Sequence, residues 1–184
     1  MRERAIEGPR VFLSLLTHAD IDERYLSWFD DGERVKFYSG SGRVFTREAV
    51  IAELDAGAAS GSVFVYGIYT HDSELLIGTI KIGPIDRRNQ VADLVAHVGD
   101  RENGGKGIAS EAISLGNTIA FENLGIRKLF GGMYDANVAA VRAYLRAGWV
   151  VEGRLRDHYL VDGRPMDRVL VACFKHPPSN EVST

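Results

Sequence analysis

Sulfur chemistry is nearly absent from this chain: Cys173 is its single cysteine in 184 residues. One thiol excludes an internal disulfide, and no Cys/His cluster with metal-ligand spacing accompanies it, so neither a disulfide framework nor a metal site is expected. Long apolar runs are also missing. None approaches the ~20 residues that cross a bilayer, and the N-terminal MRERAIEGPR lacks the apolar core of a secretory signal. The expectation is a soluble, cytoplasmic protein with no membrane partner. Nor is there an excess of positive charge, since 22 Lys and Arg face 25 Asp and Glu for a net charge of −3. That balance argues against nucleic-acid binding through a broadly basic surface. No repeat or low-complexity linker divides the chain, so residues 1–184 are expected to form a single domain. Its ordered core should span about 9–176 between polar termini.

Periodicity and punctuation predict the elements. Val11 to Leu16 reads as a short apolar strand, followed by Thr17-His18-Ala19-Asp20, where Asp20 is positioned to cap a helix running to Phe29. Thr46 opens a second helix through Ala59, with Val50, Ile51 and Leu54 on one stripe and Ser60-Gly61 as its stop. Phe37 to Gly42 reads as a flexible connection. Val63 to Thr70 and Leu75 to Gly83 are β-rich runs joined by the polar turn His71-Asp72-Ser73-Glu74, and Val91 to Val98 is a further strand. Ile108, Ala112, Leu115 and Ile119 recur at the spacing of a helix packed on a sheet. A strand at Phe130 to Tyr134, a helix from Asn137 to Ala147 and two last strands turned at Asp162-Gly163 complete a mixed α/β fold. About 6–7 strands are expected, a usual sheet size.

Gly99 to Ala120, reading GDRENGGKGIASEAISLGNTIA, runs a glycine-rich loop into the amphipathic helix. Glycines let the backbone approach a ligand closely, and the orphan N–H groups of a helix start favour an anion, phosphate above all. The spacing rejects two phosphate loops. A Walker A loop needs Gly-Lys-Ser/Thr four residues after its first Gly, but Gly105 follows Gly104 and Gly107 follows Lys106. Gly105-x-Gly107-x-x-Ser110 has two of the three glycines of the dinucleotide fingerprint, yet no acidic residue follows a strand at the required distance of about 20 residues.

The remaining pattern, Gly107-Ile108-Ala109 opening a helix, resembles the R/Q-x-x-G-x-G/A pyrophosphate loop of the GCN5-related N-acetyltransferases (GNAT). Asp135 to Trp149, DANVAAVRAYLRAGW, is similar to that superfamily's second signature, Asn-x-x-Ser/Ala-x-x-x-Tyr-x-x-x-Gly-Phe. Glu152 to His158, with Asp162-Gly163-Arg164 and Asp167, looks like the closing hairpin of the ribosomal-protein (RimJ/RimL-like) and nucleotide-amino-sugar branch. Arg24 to Asp31 resembles the Tyr-Leu-x-Trp-Leu-Asn-Asp stretch of the same branch. Gly104 departs from the pattern, standing where the family carries Arg or Gln. The resemblance implies an α+β fold with a mostly antiparallel sheet and about four helices on both faces. It also implies acetyl-CoA as cofactor. Cofactor contacts would then fall on Val98, Gly99, Gly104, Gly105, Lys106, Gly107, Ile108, Ala109, Ser110, Asn137 and Tyr144.

Acetyl transfer from a thioester to an amine draws much of its acceleration from proximity, with effective molarities on the order of 10⁵ M or more. Tyr144 matches the family position whose phenol lies near the cofactor sulfur and acts as general acid; its plain alternative is a ring buried with Val141 and Leu145. Asn137 matches the family's Asn at the pantetheine arm and is equally suited to cap its own helix. Strand alternation puts Asp93, Val95 and His97 on one face, so Asp93 and His97 can flank the acceptor and His97 can take the amine's proton. Trp28, Tyr38, Asp157 and His158 are the expected substrate-side residues. Cys173, mid-strand in an apolar run with no adjacent His, reads as a core residue, which favours direct attack in a ternary complex over an acyl-enzyme. The acceptor implied is a small-molecule amine, with a nucleotide-linked amino sugar first. A protein N-terminus is the alternative, a non-catalytic acyl-CoA-binding module the second, and a homodimer is compatible with all three.

Overall fold

A computed structural model describes residues 2–30, 32, 37, 45–100, 102 and 107–177. Its strands are β1 (Ile6–Glu7), β2 (Val11–Leu15), β3 (Phe64–Thr70), β4 (Leu76–Asp86), β5 (Val91–Val98), β6 (Lys128–Tyr134), β7 (Val150–Val161) and β8 (Arg164–Phe174). Its helices are α1 (Glu23–Ser27), α2 (Arg47–Ser60), α3 (Ile108–Thr118) and α4 (Val138–Arg146). All eight strands join one sheet in the order β1-β2-β3-β4-β5-β6-β8-β7. The sheet thus exceeds the six or seven strands read from sequence; Ile6–Glu7, paired with Phe12 and Leu13, is too short to leave a periodic signal.

Every neighbouring pair is antiparallel except β5 and β6. Parallel strands need a crossover, and α3 supplies it. The parallel register is only three residues long: Val91 opposite Lys128, Ala92 opposite Leu129 and Asp93 opposite Phe130. Beyond Asp93 the two strands part, and the opening between them dominates the rest of the architecture.

Register fixes which side chains share a face. Tyr66, Ile80 and Ala96 are partners across β3, β4 and β5, and they look toward a core that holds Ile82, Leu94, Ala112, Ile113 and Leu129. Alpha helices α3 and α4 cover this side, with Ala112, Ile113, Ala143 and Tyr144 buried in the same cluster. Val65, Lys81 and Val95 are partners on the opposite face. There Val65 packs with Leu16, Ile21, Tyr25 and Trp28 and with Val50, Ile51 and Leu54 of α2.

Local signals hold in most places. Thr46 accepts the Ala49 amide at 3.2 Å, and Gly61 ends α2 at φ +60°, the left-handed conformation glycine adopts without penalty. Asp20, by contrast, does not cap α1. Its carboxylate accepts from the Thr17 amide (2.8 Å) and hydroxyl (2.7 Å) and pairs with Arg2 at 2.6 Å, while Asp22 caps α1 through the Tyr25 amide at 2.8 Å. Burial alone would raise the Asp20 carboxyl, but Arg2 and Thr17 outweigh it and hold it below the usual range. Of the connection expected from Phe37 to Gly42, only Phe37 lies among the described residues. No helix among these is long and apolar enough to cross a membrane.

Candidate active site

Where β5 and β6 part, a cleft of about 1150 Å³ opens through the sheet. Strands β3 to β8 and helices α1 to α4 all contribute to its lining. Its construction can be followed from the backbone outward. A strand that loses its neighbour leaves N–H and C=O groups that must find other partners. On β5 these include Leu94 and Ala96, and Tyr144 of α4 serves both. Its hydroxyl donates to the Leu94 carbonyl at 2.9 Å and accepts the Ala96 amide at 3.1 Å. The phenol therefore stands in for the missing strand, its ring held edge-on against Trp149 at 4.8 Å.

Trp149 is in turn fixed by Asn117 of α3, whose side-chain oxygen accepts the indole N–H at 3.1 Å and whose amide donates to the Ala147 carbonyl at 3.2 Å. Asn137 lines the cleft at the start of α4, and its side-chain oxygen accepts the Ala140 amide at 3.2 Å, so the capping role expected of it is present.

Helix α3 begins at the same opening. Gly107 precedes it at φ +79°, and no side chain among the described residues caps the helix start. Ala109 and Ile113 line the cleft. The acidic residue of the first turn, Glu111, is turned toward Arg10 and Val11, accepting their amides at 2.7 and 3.2 Å and pairing with the Arg10 guanidinium at 3.2 Å. An uncapped helix start beside a cleft, with its own carboxylate engaged elsewhere, fits a pyrophosphate. Of the loop residues expected there, Gly107, Ile108, Ala109 and Ser110 are placed at this terminus, whereas Gly104, Gly105 and Lys106 lie outside the described residues.

Val98 and Gly99 also line the opening. Gly99 is pressed against Trp28, so that a Cβ would overlap the indole; Trp28 is buried there and packs on Tyr25 at 5.2 Å. The expected substrate-side Trp28 is thus part of the wall. Tyr38 lies outside the described residues.

Asp93 and His97 both reach the cleft from one face of β5, as alternation predicted. The His97 ring stacks on Phe29 at 5.2 Å and lies 6.1 Å from Trp28. Burial raises the Asp93 carboxyl above its ordinary value, with the charges of Lys81 and Arg168 pulling the other way. A carboxylate whose proton affinity is raised is the better proton acceptor.

Asp157 and His158 are not brought into this group. Both are exposed on β7, and neither lines the cleft. The strand kinks there: its register against β8 shifts between Leu155 and Tyr159, Asp157 adopts φ +50°, and its amide donates to Asp167 at 2.9 Å. The kink delivers Tyr159 instead, stacked on Tyr134 at 4.0 Å. Tyr159 and Arg168 were missed from sequence because their place depends on the β6-β8-β7 order, and Lys81 because its place depends on the β4–β5 register. The one local signal was Lys81, a cation between the buried Ile80 and Ile82. Cys173 lies in β8, largely buried, and burial pushes its thiol up, away from the reactive thiolate.

The Acetyltransferase (GNAT) domain family matches residues 10–150. The probable N-acetyltransferase YjcK of Bacillus subtilis (strain 168) is 29% identical over 122 residues, covering 66% of this chain and 67% of its own. The uncharacterized N-acetyltransferase YoaA of the same organism is 27% identical over 173 residues, covering 92% and 96%. Among solved structures, a spermidine N-acetyltransferase from Vibrio cholerae in complex with CoA and spermine superposes with a TM-score of 0.81 at 17% identity over 91% of this chain and 96% of that one. A ribosomal-protein-S5-alanine acetyltransferase from Vibrio fischeri gives 0.80 at 17% identity over 94% and 97%. At such identities the two structures speak to fold alone, and the fold is the same. The matched domain takes in the parted strands, the uncapped helix start and the tyrosine between them, and the chain belongs to the GNAT acetyltransferase family as an acetyl-CoA-dependent enzyme.

Proposed function

We propose that this protein acetylates the primary amine of a small molecule, an amino sugar or its nucleotide-linked form first, by direct attack within the cleft. The single observation that carries this reading is the arrangement around the parting of β5 and β6: an uncapped helix start on one side of the sheet, Asp93 and His97 on the other. When bound, acetyl-CoA supplies an acetyl group already activated as a thioester. The α3 terminus, from Gly107 to Ser110, holds the pyrophosphate, and Asn137 and Tyr144 line the path from there into the cleft. Asp93 and His97 remove the proton from the amine, directly or through water, and Phe29 and Trp28 keep the imidazole in place. Tyr144 holds the edge of β5, and its hydroxyl would be the group that protonates the leaving thiolate, giving up its bond to the Leu94 carbonyl to do so. Neither a metal nor an enzyme nucleophile enters this scheme.

The test is acetyl-CoA with a panel of amines, reading thiol release, on the wild-type protein and on Cys173→Ala. Intersecting initial-rate lines and full activity in the variant are expected. Parallel lines, or acetylated protein before any amine is added, would overturn direct attack.

A further inference from the structure

We propose that Arg168 and Lys81 form an oxyanion subsite on the acceptor side of the cleft, so that the amine this protein acetylates carries a phosphate or carboxylate. The inference rests on the acetyl-transfer reading above and names the substrate class within it. Register puts the groups on one face. Lys81 is the partner of Val95, two residues from Asp93; Asp93 is the partner of Phe130; and Tyr134, four residues along β6 from Phe130, is the partner of Arg168. With side chains alternating along each strand, Lys81, Asp93, His97 and Arg168 all stand on the face away from α3 and α4.

Arg168 reaches the cleft across β6, and position 132 allows it to pass. Gly132 lies so close beneath that a Cβ would overlap the guanidinium. The Tyr159 ring supports it from the other side, 5.6 Å from Cζ. Its Nε is buried and without a hydrogen-bond partner, and neither Arg168 nor Lys81 forms an ion pair with a described residue. Arg168 is half-buried, with Nε the buried atom, and burying a guanidinium nitrogen without a partner is costly. Asp93 is the carboxylate that feels both cations, and it forms no ion pair with either. Glu53 also lines the cleft, from exposed helix α2. A fork of donors with no partner, a second cation across the strand gap and a clear approach over Gly132 make a receptor for a planar or tetrahedral oxyanion.

The experiment compares kcat/KM within matched pairs: glucosamine 6-phosphate against glucosamine, phosphoethanolamine against ethanolamine, and an amino acid against its amide, with spermidine as the polycation. The wild-type protein should prefer the anionic member of at least one pair by about tenfold or more, the scale of a charge-assisted hydrogen bond. Which pair responds distinguishes phosphate from carboxylate. Arg168→Gln and Lys81→Gln should each erase most of that preference, Arg168→Lys should keep part of it, and Gly132→Ala, which leaves both charges but blocks the guanidinium, should mimic Arg168→Gln. Thermal protection by acetyl-CoA, measured in parallel, establishes that each variant is folded. If every pair is acetylated with a ratio within about twofold, or spermidine is preferred, or Arg168→Gln shifts the pH profile while leaving the ratio intact, the subsite does not exist though acetyl transfer to amines stands. If no amine consumes acetyl-CoA, the acetyl-transfer reading itself falls and takes the subsite with it.

Discussion

Tyr144 carries two duties through one hydroxyl. Its bonds to Leu94 and Ala96 satisfy backbone groups that β6 would otherwise pair, so Tyr144→Phe leaves a buried carbonyl and a half-buried amide wanting. That loss should cost about 1–3 kcal/mol of stability, read by urea or thermal unfolding. Loss of the proposed proton donor should lower kcat by about 10²-fold with little change in acetyl-CoA binding. A fall in stability with kcat intact would confine Tyr144 to holding the strand. The residue was legible in the Asn-to-Tyr signature, but its partners were not, because a sequence does not say where a sheet will open. Asp93 and His97 were legible as a pair by alternation alone, whereas Lys81 and Arg168 required the register of four strands.

At the level of the element, α3 is the part of this molecule most nearly written in its own residues. The Ile108, Ala112, Leu115 and Ile119 stripe packs on the sheet, with Ile113, Gly116 and Asn117 widening the buried face, and the helix closes in a π-helical turn, Ile119–Asn123. Its start is the predicted anion site, and Gly107→Asp tests it. In place of the N-cap glycine an aspartate gains only a few tenths of a kcal/mol as a cap, against about 1–2 kcal/mol for a side chain at φ +79°. The unliganded variant should therefore unfold at a modestly lower temperature while remaining folded, and the comparison is of each protein with and without acetyl-CoA. The new carboxylate would repel a pyrophosphate, so the protection given by acetyl-CoA, about 2.7 kcal/mol at a hundredfold excess over Kd, should disappear. Unchanged protection would remove the pyrophosphate from this terminus. Helix α1 shows the opposite case: Asp20 and Asp22 are both good caps by type, and the Asp20 carboxylate is taken up instead by Thr17 and by Arg2 from the N-terminal segment.

Across the whole molecule, that same contact ties residues remote in sequence. Arg2 forks onto Asp20 at 2.6 and 3.0 Å and lies 4.2 Å over the Tyr69 ring of β3, so the segment ahead of β1 is clamped to the sheet and to the turn before α1. Asp20→Asn leaves the guanidinium without its counter-charge and should cost about 3 kcal/mol at neutral pH. The sign with pH follows from the depressed Asp20 carboxyl. Its stabilisation is complete above the unfolded value of about 3.9 and is lost as the pH falls through the lower folded value. Unfolding curves for the two proteins should therefore differ at pH 7 and converge in acid; a constant gap across that range would mean that the carboxylate's charge is not what holds the segment.

The sequence by itself determined what depends on neighbours along the chain: the alternation that pairs Asp93 with His97, the stripe and uncapped start of α3, the stop at Gly61, and the ordered signatures that mark the family. Tertiary structure decided what depends on strand order and register. The parallel β5–β6 pairing ends after Asp93, Tyr144 takes over the vacated backbone, a kink at Asp157 presents Tyr159 rather than His158, and Arg168 crosses Gly132 to line the same cleft as Lys81. Side-chain periodicity is a property of one strand, but which strands adjoin and where they part is settled by packing the whole sheet between its helices, and residues far apart in the chain meet only then.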